Sequence, residues 1–286
     1  MSDQDSAVPL ERSQLHFSLP LSEDTWVARI MRACEIIEGD PALPREPLAL
    51  AFKKERLECI EDRAAYLEDL LDNSHRCLVL TNGDQLNVDR GGAPADMGQI
   101  RISGVVNDTA RQAYDLTVEF PALPWSVRES LLAALGDALD ACTGQITPAP
   151  AAQAFTAHYL LGTVGADTAN PARASWEQDT RMLRTCMKYR STAVPRIQHV
   201  SVGGGRQSPL QPAILGWINY WSAETCSYLG FPEPARDLDL LQHASQTPQG
   251  SWVVKLCDEP LDVSLEDHVE MVASVYGRFP RLGIRV

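Results

Sequence analysis

Residues 114–142 read YDLTVEFPALPWSVRESLLAALGDALDAC. Over the first seven positions apolar and polar side chains alternate, as on a strand with one buried face. Pro121 and Pro124 then stop the strand and turn the chain. From Ser126 to Cys142 the residues Val127, Leu131, Leu135, Leu139 and Cys142 recur at helical spacing. A loose echo follows at 252–278. There the strand pattern WVVKLC leads through Pro260 to a helix lined by Leu265, Val269, Val272, Val275 and Tyr276. Strands that look mostly antiparallel, mixed with amphipathic helices, predict an α+β fold in two lobes, with a cleft between them.

Working outward, residues 15–19 alternate as a first strand. Ser22 precedes an acidic first turn (Glu23, Asp24) and opens a helix through Trp26, Val27, Ile30, Met31, Cys34 and Ile37, with Gly39 as its C-terminal cap. Residues 48–71 carry a long helical pattern, read as one helix or two, through Phe52, Leu57, Ile60, Ala64, Leu67 and Leu71. Residues 77–80 form an apolar run before Asn82-Gly83, a hairpin signal that predicts a return strand over 85–88. A further strand is expected over 100–106. Residues 143–154, poor in bulky groups and holding two prolines, read as a linker. That reading divides the chain into an acidic N-terminal domain, 1–146, and a C-terminal domain, 147–286. In the second, strands are expected over 155–161, 197–202, 214–220 and 252–257. Helices are expected over 176–188, 223–229 (closed by Gly230) and 236–244. Ser264 is placed to cap the last helix, with Asp267 three residues on.

The 286 residues carry 38 acids and 25 bases, a net charge of −13. Such a chain is repelled by phosphate backbones and anionic lipid, so no nucleic-acid or membrane partner is expected, and a basic protein partner is. Residues 1–146 hold 25 acids against 13 bases, and 147–286 hold 13 against 12, so the acidity is concentrated in the first half. Within the second half a basic stretch, 173–206, is followed by 10 acids against 5 bases over 207–286. No apolar run reaches the roughly 18 residues of a membrane span, and the start MSDQDSAVPLERS lacks the features of a signal peptide. A cytoplasmic protein is expected. Seven scattered cysteines without a Cys-x-x-Cys pair agree, reading as reduced and mostly buried thiols.

Catalytic motifs are not found. The six histidines lack partners at metal-ligand spacing, and neither a nucleophile elbow nor a P-loop occurs. Gly203-Gly204-Gly205 follows a predicted strand, but Pro209 and Pro212 replace the helix start that a phosphate loop needs. No catalytic residue, metal or cofactor is therefore assigned, and the chain is not expected to be an enzyme. The carboxylates of 258–270 read first as a solvated helix face and second as a protein-binding patch. Trp217, Tyr220, Trp221, Tyr228 and Phe231 read first as core.

The tail also carries a sequence resemblance. It runs Gly216-Trp217-Ile218-Asn219-Tyr220-Trp221-Ser222, then Gly230-Phe231-Pro232, then Gly250-Ser251-Trp252-Val253-Val254-Lys255-Leu256. Leu261-Asp262 and Glu266-Asp267-His268-Val269 complete it. This order resembles the C-terminal part of the immunity-protein-52 family of bacterial polymorphic-toxin and type VI secretion systems. The resemblance implies a protein that binds a cognate toxin effector, a nuclease, and blocks it without catalytic residues of its own. Contacts are expected first at Asp258, Glu259, Asp262, Glu266 and Asp267, then at Glu61, Asp62, Glu68, Asp69 and Asp72 on the long N-terminal helix. The alternative reading is a small-molecule-binding protein or enzyme that holds an anionic ligand in the cleft between lobes.

Overall fold

The computed structural model describes residues 13–20, 23–53, 56–72, 77–82, 100–105, 113–152, 154, 208–212 and 214–283. Chain contacts divide it into two compact units: Met1–Thr109 with Ala113–Ala141, and Cys142–Val286 with Ala110–Gln112. Each unit carries antiparallel strands with helices packed on them, so the fold is α+β.

Unit 1 holds strands β1 (Ser13–Pro20), β2 (Leu50–Lys53), β3 (Arg56–Cys59), β4 (Cys77–Thr81), β5 (Arg101–Val105) and β6 (Ala113–Phe120), in the order β3-β2-β4-β5-β6-β1. Helices α1 (Glu23–Gly39), α2 (Arg63–Asp72) and α3 (Trp125–Ala138) complete it. The alternation seen in the sequence becomes a buried face. Leu15, Phe17 and Leu19 of β1 stand opposite Val118, Leu116 and Tyr114 of β6, and all six are buried. Trp26, Ile30, Cys34 and Ile37 form the buried stripe of α1, which packs on α2 and α3. Arg29 Nε and a terminal nitrogen of Arg32 reach across from α1 to Asp140 Oδ2, at 3.0 and 3.1 Å. Asp140 follows α3 with φ 47°, a left-handed conformation that aspartate tolerates better than most residues.

Unit 2 holds β7 (Thr143–Ile146), β8 (Ile218–Trp221), β9 (Ala244–Gln246) and β10 (Trp252–Lys255), in the order β7-β8-β10-β9. Between β8 and β9 lie α4 (Ala223–Leu229) and the short α5 (Leu238–Leu241), and α6 (Glu266–Arg278) closes the unit. All four residues of β8 are buried, the polar Asn219 among them, which explains why its sequence lacks the alternation of a half-buried strand. Ser222 Oγ accepts from the Thr225 N–H at 3.1 Å to cap α4, and Gly230 ends it at φ 73°. Trp221, Phe231, Phe279 and Trp252 pack edge to face, with centroids 5.2 to 6.2 Å apart.

Several expectations are corrected. Residues 48–71 are not a long helix: they form the hairpin β2–β3 and then α2. Phe52 pairs with Leu57, and β2 is held from its other edge by β4. Short apolar runs fit either period, and strand pairing decides between them. Strand β4 pairs with β5 along its length and with β2 at Leu80 and Thr81. Asn82 clamps Ile100, accepting its N–H at Oδ1 (2.7 Å) and donating its own N–H to the Ile100 carbonyl (3.3 Å). The expected linker begins as strand β7, paired with β8. Gly39 is the last residue of α1 and adopts no left-handed turn. The elements expected over 85–88, 155–161, 176–188 and 197–205 lie outside the described residues.

Candidate functional site

The Gly-Trp segment is built for packing. A Cβ at Gly216 would stand 2.7 Å from the Ile146 carbonyl oxygen, so only glycine lets this backbone approach β7. The Asn219 side chain accepts from the Gly216 N–H (2.8 Å) and donates to its carbonyl (3.0 Å), standing in for a neighbouring strand. Trp217 Nε1 donates to the Cys257 carbonyl at 2.8 Å, and Tyr220 donates to Ser251 Oγ at 2.9 Å. Trp217, Tyr220, Trp221 and Phe231 are buried, as the core reading expects. Tyr228 is half-buried, its ring beneath the Arg281 guanidinium.

That core presents the loop between β10 and α6. Leu261 and Val263 are buried and pin the loop, while Asp258, Glu259, Asp262, Glu266 and Asp267 are exposed. These five carboxylates have different duties. Asp258 Oδ1 lies 3.1 Å from His243 Nδ1 and 3.7 Å from Lys255 Nζ. Asp262 Oδ1 accepts from the Ser264 N–H (2.9 Å) and the Ser264 hydroxyl (2.7 Å). Those donors hold the Asp262 carboxyl below the ordinary carboxylate range. Glu266 and Asp267 occupy the first turn of α6, where the helix dipole favours negative charge.

The expected Ser264 cap is not formed. Leu265 occupies the N-cap position without a side-chain cap, because the Ser264 hydroxyl is spent on Asp262. Leu265 is also 47% exposed rather than part of the buried stripe. His268 Nδ1 accepts from the Asp262 backbone N–H at 3.0 Å. Serine, aspartate and histidine thus meet here, but wired unlike a catalytic triad. The hydroxyl donates to the carboxylate and the imidazole faces the backbone, so no imidazole aims to take a proton from Ser264.

The second candidate set sits in unit 1. Asp62 Oδ1 accepts from the Ala65 N–H at 3.0 Å and so caps α2, while Glu61 precedes it. Glu68 and Asp69 are exposed on α2, and Asp72 is its last residue. Only the last three therefore lie on a helix. Among the described residues no group of three or more His, Cys, Asp or Glu side chains is placed to hold a metal, and no helix is long and apolar enough to cross a membrane.

A family model described as "Domain of unknown function (DUF5953)" matches residues 29–286. The chain belongs to the DUF5953 family. The match spans both units and contains the whole Gly-Trp tail. Trp217, Tyr220, Trp221 and Phe231 of that tail are buried, and Asp262, Glu266 and Asp267 are exposed. Among solved structures, the DUF5953 chain is similar to the T6SS protein PA0821 of Pseudomonas aeruginosa. The two share 12% identity and a TM-score of 0.48 over 96% of this chain and 73% of that one. No curated protein matches.

Sequence reasoning missed one charged centre of this DUF5953 chain. Asp237 is fully buried just before α5. Its Oδ1 accepts from Arg236 Nε at 2.8 Å, and its Oδ2 from the Glu233 N–H at 2.9 Å and an Arg236 terminal nitrogen at 2.7 Å. Arg278 of α6 stands 3.8 Å away and grips Asp239 with two bonds, at 2.6 and 2.8 Å. The Arg278 guanidinium holds the Asp239 carboxyl below its ordinary value. The adjacent Arg236-Asp237 pair resembles any surface pair in sequence, and burial alone distinguishes it.

Proposed function

We propose that the chain is an immunity-type protein. It binds a secreted toxin through a basic surface of that toxin and neutralises it in a stoichiometric complex in the cytoplasm. The tail motif favours a nuclease effector of a type VI secretion system as the partner. The protein acts by occupying its target, without a catalytic step, a metal or a cofactor.

The observation that carries the reading is the ordered run of exposed carboxylates before and within the first turn of α6. Buried Leu261 and Val263, together with the Asp262–Ser264 and Asp262–His268 bonds, hold that run in one conformation. A surface already ordered loses little freedom on binding. Charge complementarity speeds encounter with a basic partner, which suits an inhibitor of an incoming poison. A standard interface takes about 800 Å² from each partner, which a chain of this size can supply. Because Asp258 is engaged by His243 and Lys255, the weight falls on Glu259 and Asp267.

The test is co-purification with the product of the neighbouring gene at about 0.15 M and about 0.5 M salt, since exposed charge pairs are screened as salt rises. The expected result is a complex that weakens at the higher salt and in which the toxin is inactive. Failure to form a complex at either salt overturns the proposal. Paired reversals then locate the surface. Glu259→Lys with Asp267→Lys is expected to weaken the complex at least tenfold, and Glu68→Lys with Asp69→Lys to weaken it less. The opposite ranking moves the interface to α2.

A further inference from the structure

We draw no further inference here: the strongest candidate, the acidic cluster of Asp258, Glu259, Asp262, Glu266 and Asp267 around the start of α6, belongs to the surface already described, and nothing in the structure shows what else covers it.

Discussion

Each unit fastens one carboxylate with two arginines, and the two carboxylates, though not their arginines, stand at opposite degrees of burial. In unit 1, Asp140 receives Arg29 and Arg32 at 3.0 and 3.1 Å, and its side chain keeps 47% of its exposure. In unit 2, Asp237 receives Arg236 at 2.7 Å with Arg278 at 3.8 Å, and its side chain has none. The chemistry is shared and the energetics are not. Water competes for Asp140 and weakens its pairs. Asp237 is itself shielded from water, so its loss takes a buried acceptor from the Glu233 N–H and from Arg236, while Arg278 keeps its two bonds to Asp239. The number of ion pairs therefore says little about what holds either unit together; their burial decides it.

The largest effect is expected at that contrast. Asp237→Ala should cost about 2–3 kcal/mol of stability in urea unfolding, because the Glu233 N–H and Arg236 lose a buried acceptor. Asp140→Asn keeps a residue that tolerates positive φ and should cost about 1 kcal/mol or less. Equal losses would break the comparison. Next comes backbone proximity. Gly216→Ala forces a Cβ against the Ile146 carbonyl and should cost about 1–3 kcal/mol. A Cβ at Gly39 meets nothing within 4 Å, so Gly39→Ala at the end of α1 should be neutral or slightly stabilising, within about 1 kcal/mol.

A smaller effect separates the two acidic sets. Asp262→Ala removes the acceptor of two Ser264 donors and should cost about 1 kcal/mol, whereas the exposed Glu68→Lys should stay within about 0.5 kcal/mol. The pH dependence sharpens this. Asp262 and Asp239 are held below their ordinary values, so the unfolded chain binds protons at these sites more readily. Their stabilisation is present above the unfolded carboxylate value of about 3.9 and is lost as pH falls through the lower folded values. Acid unfolding of Asp262→Ala should accordingly begin from lower stability with a shallower acid limb. The smallest test is chemical. At about pH 8, the exposed Cys59 at the end of β3 should alkylate in the native protein. Cys34, whose thiol burial pushes up to about 12, should react only after unfolding.

Much of the fold could be read where one periodicity held without a rival. The strands 15–19 and 114–120, the stripe of α1, and α4 with its Ser222 and Gly230 boundaries all follow from local pattern and capping chemistry. The 48–71 region could not be read locally. Phe52, Leu57 and Ile60 satisfy a helical count, and only pairing with β4, a segment distant in sequence, makes strands of the first two. β7 was hidden for a related reason: TGQI has little bulk and draws its order from β8. Of the candidate surface, the exposure of Glu266 and Asp267 could be read from their helix-start context. The engagement of Asp258 by His243 could not, since fifteen positions of chain separate them. Asp237 escaped because composition records charge and not depth.

The edge-to-face cluster of Trp221, Phe231, Trp252 and Phe279 has an optical consequence. Rings fixed in an asymmetric array give near-ultraviolet circular dichroism, and that signal vanishes when packing loosens even if helices and strands persist. All four rings belong to unit 2. The near-ultraviolet band is thus weighted toward that unit's side-chain order, with the buried Trp26 adding a contribution from unit 1. Read beside the far-ultraviolet signal during denaturation, it would show whether one half of the molecule softens before the other.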